Sequence, residues 1–106
     1  MVYGKLNKLL EKYPDRIPVV ITRSKNKSDI DDIDRNKFLV PSDYTIGQLV
    51  AVIRKRIKIK PHQAIFVFID NKLPAVSSTV AEVYSKYRDP NDGMLYVTYS
   101  GENTFG

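Results

Sequence analysis

Lys37-Phe38-Leu39-Val40-Pro41-Ser42-Asp43-Tyr44-Thr45-Ile46-Gly47-Gln48-Leu49-Val50-Ala51-Val52-Ile53-Arg54-Lys55-Arg56-Ile57-Lys58 reads as a strand running into a helix. Phe38, Leu39 and Val40 stand between a charge and a proline. Pro41 has no N–H to give to a ladder, so this strand lies at a sheet edge or stops there. Thr45-Ile46-Gly47-Gln48 fits a capping box, with Gln at the third helical position. Ile46, Leu49, Val50, Ile53 and Ile57 then mark the core stripe of a helix that reaches about Lys58. At about 100° per residue, Val52 falls well off the axis of Ile46, Val50, Ile53 and Ile57, Leu49 lies between that axis and Val52, and Arg56 is one turn beyond Val52. An apolar helix edge bordered by a cation, beside an edge strand, is what an extended peptide needs to add as a further strand. The alternative reading of Val52 is a lone surface valine.

Working outward, Ile17 to Thr22 is apolar and β-branched, a first strand. Before it, Leu6, Leu9, Leu10 and Tyr13 predict a short amphipathic helix over about Lys5 to Lys12, stopped by Pro14. Ser24 to Arg35 is a polar connection. After the long helix, the continuous apolar run Ile65 to Ile69 predicts a strand buried on both faces. Thr79-Val80-Ala81-Glu82 is a second capping box, and Val80, Val83, Tyr84 and Tyr87 are the stripe of a short helix. Asp92-Gly93 turns the chain into a last strand, Leu95 to Tyr99, followed by a polar tail. Two strands near enough to pair as a hairpin, a long helix, a strand, a short helix and a strand predict an α+β, ubiquitin-like β-grasp. Its four-stranded mixed sheet is crossed by the long helix. The expected division is a short N-terminal helix over 1–12, a ubiquitin-like domain over 13–100 and a flexible tail over 101–106.

Composition narrows the function. With 106 residues there is room for one domain. No cysteine excludes disulfides, zinc-thiolate sites and a catalytic thiol, and a single histidine leaves little for acid–base or metal chemistry. No cofactor is expected. Net charge +5 favours anionic partners without choosing among them. The run Arg54-Lys55-Arg56-Ile57-Lys58-Ile59-Lys60 reads as a solvated helix face or as a nucleic-acid patch, and no aromatic residues interleave with it to stack on bases. Nucleic acid is therefore not the expected partner. His62 reads as a surface residue, and Ser77-Ser78-Thr79 as helix-entry residues. The longest nearly apolar run, Ala64 to Ile69, is far short of the roughly 20 residues a membrane helix needs. Gly106 is the sharpest feature. A C-terminal glycine has no side chain to crowd its carboxylate. A tail of six residues, extending roughly 20 Å, can enter a partner's active site while the folded body stays outside.

Several segments carry a specific likeness: Tyr13-Pro14-Asp15-Arg16-Ile17-Pro18-Val19, Lys37 to Asp43, Ile53-Arg54-Lys55-Arg56-Ile57, and Leu95-Tyr96-Val97-Thr98-Tyr99-Ser100 to Phe105-Gly106. In this order they closely resemble the autophagy-related protein 8 family of ubiquitin-like modifiers, relatives of the GABA-receptor-associated protein. Members usually carry two helices before the Tyr-Pro-Asp-Arg segment, and about 12 residues precede it here.

The resemblance implies a non-enzymatic modifier. Its C-terminal glycine, here Gly106, is activated by an E1-like enzyme, passed to an E2-like enzyme and amide-linked to phosphatidylethanolamine. A cysteine protease exposes the glycine and later removes the lipid. The protein is then cytoplasmic, and sits on the autophagosome membrane when lipidated. There it recruits receptors that carry an aromatic-x-x-aliphatic motif, which pairs with the second strand. By position, the aromatic pocket would take Leu9, Ile17, Pro18, Val20, Lys37, Leu39 and Met94. The aliphatic pocket would take Phe38, Val40, Pro41, Tyr44, Leu49, Val52 and Ile53. Arg35, Lys37 and Arg56 would meet acidic residues flanking the motif. A soluble scaffold with the same groove that is never conjugated is the alternative.

Overall fold

Alternation along the first strand divides the molecule into two faces. The computed structural model describes residues 8, 11–24, 30–33 and 36–101. It contains β1 (Arg16–Arg23), β2 (Lys37–Pro41), α1 (Ile46–Ile57), β3 (Phe66–Phe68), α2 (Val80–Tyr87) and β4 (Leu95–Ser100). Successive side chains of a strand point to opposite faces. Ile17, Val19 and Ile21 face one way, into the main core, with Val40, Val67, Leu95, Val97 and Tyr99. The stripe of α1, Ile46, Leu49, Ile53 and Ile57, closes over that face.

The sheet order is β2-β1-β4-β3. β1 runs antiparallel to β2 and parallel to β4, and β3 runs antiparallel to β4. This is the mixed four-stranded sheet of a β-grasp, crossed by its longer helix.

The two helix starts support each other. The Thr45 hydroxyl accepts the Gln48 N–H at 3.1 Å, and the Gln48 side chain accepts the Thr45 N–H at 2.8 Å. Thr79 and Glu82 repeat the device in α2. The first N–H groups of any helix have no partner within it. Here those of Ile46 and Gly47 donate to the carbonyls of Ser78 and Val76, while those of Val80 and Ala81 donate to Tyr44 and Ser42. The segment between β2 and α1 is thereby fixed by the start of α2. At its other end α1 stops at Lys58, in the left-handed region with φ 53°. Arg54 then holds the following loop, donating to the carbonyls of Gln63, Lys60 and Pro61.

The bounds of the last two strands differ from the sequence reading. The apolar run Ile65 to Ile69 yields only the short strand Phe66–Phe68, which pairs with β4 alone and lies at a sheet edge. Asp70 and Asn71 adopt positive φ, and Ile69 and Lys72 exchange hydrogen bonds, so a tight turn ends the strand. Val67 and Phe68 point to opposite faces and are both buried, so the strand is buried on both faces as expected, and Ile69 is buried just beyond its end. β4 continues one residue further than expected, to Ser100. Of the expected N-terminal helix, Lys8, Glu11 and Lys12 are helical, and its other positions lie outside the described residues. The tail over 102–106, Gly106 included, lies outside them as well.

Candidate functional site

The open edge of β2 follows from the ladder itself. Ile21 N–H donates to Asn36 and Ser42 N–H to Asp15, which fixes the phase of the β1–β2 pairing. In an antiparallel pair, hydrogen-bonded and non-hydrogen-bonded positions alternate. Ile17–Val40 and Val19–Phe38 therefore face each other with their backbone groups. Arg16–Pro41, Pro18–Leu39 and Val20–Lys37 are the intervening pairs. Pro18 and Pro41 fall on non-bonded positions, where a missing N–H costs the ladder nothing. The backbone groups of Lys37 and Leu39 consequently turn outward, away from β1. The Pro41 carbonyl is already taken by the Tyr44 N–H at 3.1 Å.

Beside this edge lies a cavity of about 220 Å³, lined by Arg16, Phe38, Leu39, Val40, Pro41, Tyr44, Leu49 and Val52. A dry cavity of about 150 Å³ holds a benzene ring, so this one takes a single branched side chain. Six of the seven residues expected for the aliphatic pocket line it. Ile53 does not: it is 0% exposed and belongs to the main core. Val52 and Ile53 are neighbours on α1, and the helix turns one toward the cavity and the other beneath the sheet.

The outer face of the sheet supplies the second half of the site. Register places Pro18 against Leu39 and Val20 against Lys37, all on one face. Val20 and Met94 form a small buried cluster separate from the main core. Met94 is held by the turn before β4. Its N–H donates to the Asp92 carboxylate at 2.9 Å, its carbonyl accepts from Asp89, and Gly93 has φ +71°, a conformation natural to glycine. The Tyr96 hydroxyl also donates to Asp92, and these two bonds, that of Tyr96 foremost, hold the Asp92 carboxyl below its ordinary pKa. Ile17, expected in this pocket, faces the opposite way and packs in the main core, because it has the parity of Val19 and Ile21. Leu9 and Arg35 lie outside the described residues.

Cations rim both halves. Lys37 is exposed on the edge strand. The Arg56 guanidinium lies 5.4 Å from the Phe38 ring centroid, at the helix side of the edge. Arg16, at the start of β1, lines the cavity and was not among the expected residues. Its strand parity, shared with Pro18 and Val20, is the sequence signal that could have found it. No cluster of metal-binding side chains occurs among the described residues. No described helix is long and apolar enough to cross a membrane.

The fold defines a ubiquitin-like protein with an open, cation-rimmed sheet edge. The family model described as "Autophagy protein Atg8 ubiquitin like" matches residues 4–106. The chain is 54% identical over 99 residues to autophagy-related protein 8d of Arabidopsis thaliana, covering 93% of this chain and 81% of that one. It is 54% identical over 103 residues to autophagy-related protein 8 of Mycosarcoma maydis, covering 97% and 86%. The crystal structure of Trypanosoma brucei ATG8 superimposes with a TM-score of 0.87 at 46% identity, covering 98% of this chain and 88% of that one. The chain belongs to the Atg8 family of ubiquitin-like autophagy proteins. It is a non-catalytic modifier, conjugated to lipid and acting as a membrane-targeted adaptor, with conjugation enzymes and receptors as its partners.

Proposed function

We propose that the β2–α1 edge is the adaptor surface, and that Gly106 is the point of conjugation. The observation that carries the first half is the pairing of an outward-facing strand edge, Lys37 to Leu39, with an apolar cavity floored by Leu49 and Val52. Added strands gain backbone bonds from almost any sequence, so selectivity comes from side-chain pockets. A receptor segment of the form aromatic-x-x-aliphatic seats its aliphatic residue in the cavity. Its aromatic residue lies on the face of Pro18, Val20, Lys37, Leu39 and Met94. Lys37, Arg35 and Arg56 attract acidic residues flanking the motif.

At the other end, an E1-like enzyme activates the Gly106 carboxylate with ATP and an E2-like enzyme carries it as a thioester. The amine of phosphatidylethanolamine then takes the acyl group as an amide. A cysteine protease reverses the linkage. The protein works in the cytoplasm and, once lipidated, on the autophagosome membrane.

Titration of isotope-labelled protein with an aromatic-x-x-aliphatic peptide tests the surface. The amides of Lys37 and Leu39 and the methyls of Leu49 and Val52 shift together. Shifts confined to another face would overturn the assignment.

A further inference from the structure

The edge is not simply open. The Arg16 guanidinium donates to the Leu39 carbonyl at 3.3 Å. That oxygen is one of the few outward-facing acceptors on β2. Arg16 also lies 5.6 Å from the Tyr13 ring centroid, a contact that favours keeping the side chain folded along the edge. A docking strand needs the same carbonyl for one of its own N–H groups. Two donors sharing one oxygen weaken each other, and a cation left at the rim loses water without gaining a counter-charge.

Resting on the reading of this groove as a peptide-docking site, we infer that Arg16 is a latch on the β2 edge, released by a carboxylate that follows the aliphatic anchor of the incoming peptide. The carboxylate draws the guanidinium off Leu39 into an ion pair and returns the carbonyl to the strand ladder. The position of the acid follows from the site: Arg16 lines the aliphatic cavity, whereas Lys37 stands against Val20 toward the other end. Arg16 thus acts with opposite sign on two kinds of peptide. It opposes a neutral one by holding the acceptor, and it favours an acidic one by pairing with it. A cation that only steers by charge would help the acidic peptide without hindering the neutral one.

The test is a four-way comparison by calorimetric titration. Wild type and Arg16→Ala are each titrated with two peptides sharing one aromatic-x-x-aliphatic core, followed by two Glu in one and two Gln in the other. Arg16 is exposed, so the variant keeps the fold, and a thermal melt checks this. The substitution weakens the Glu peptide about fivefold at low salt, less at high salt, and tightens the Gln peptide about twofold to threefold. A Gln peptide bound equally or more weakly by the variant refutes the latch while leaving the groove intact. Failure of wild type to bind either peptide refutes the groove reading and the latch with it.

Discussion

Val52→Asp separates a docking residue from a core residue. Val52 is half-buried and lines the cavity, whereas its neighbour Ile53 is fully buried in the core. Seating one aliphatic side chain in the cavity removes apolar surface worth about 1.5–3 kcal/mol. An aspartate at the cavity wall forfeits part of that, and its charge must shed water when the peptide docks, at a cost of about 1–3 kcal/mol. The expected loss is at least about tenfold in affinity, or about 1.4 kcal/mol. Val52 lies outside the main core cluster, so the melting temperature falls only slightly. Ile53→Ala does the reverse, costing about 2–5 kcal/mol of stability. Fluorescence titration of a labelled motif peptide, with thermal melts of all three proteins, reads both quantities. Unchanged affinity for Val52→Asp would remove the cavity from the docking site. A collapsed melt for that variant would show that Val52 belongs to the core.

Further outcomes follow from other contacts. Lys37→Gln with Arg56→Gln lowers affinity for an acidic-flanked peptide more at 50 mM than at 500 mM salt, by under about 1 kcal/mol per charge; equal losses at both salts would argue against electrostatic steering. Tyr99→Phe removes the hydroxyl that donates to the Asp31 carbonyl at 2.6 Å, and a loss of about 1 kcal/mol, or roughly 4–8 °C, appears in a thermal melt. The Tyr99 hydroxyl is raised above its usual pKa, first by burial and then by the Asp32 charge. Its contribution is therefore intact below about pH 10 and lost as pH rises through the folded value. The Asp92 carboxyl is depressed, so its contribution holds above about pH 4 and fades as pH falls through the folded value. Tyr96→Phe returns that carboxyl toward its ordinary pKa in a carboxyl-carbon NMR titration, and an unmoved pKa would place the cause elsewhere.

Local signals wrote most of the fold into the sequence. Both capping boxes name their helix starts because the chemistry lies within four residues. Pro41 marks an edge because a missing donor is tolerated there. Val52 stood out because helix geometry alone sets its angle from the core stripe. What escaped depends on partners distant in the chain. The resemblance places Ile17 with Pro18 and Val20 by position, and only the packing of α1 shows which parity of β1 faces the main core. Likeness of position places Ile53 in the pocket, but of these two neighbours on α1 only Val52 lines it. The edge placement of β3 is not legible because its apolar run reports burial of its two faces, which is the same at an edge as in the middle of a sheet. The Arg16 bond to Leu39 crosses between strands, and no local spacing announces it.

Conjugation through Gly106 is read directly from the lipidated product. Incubating the protein with E1-like and E2-like enzymes, ATP and phosphatidylethanolamine liposomes, then mapping the product by tandem mass spectrometry, locates the bond. One phosphatidylethanolamine on Gly106 is expected, lost in a chain lacking Gly106 whose melt is unchanged. Lipidation of the chain lacking Gly106, or none of the intact chain under conditions that lipidate a relative, would contradict it.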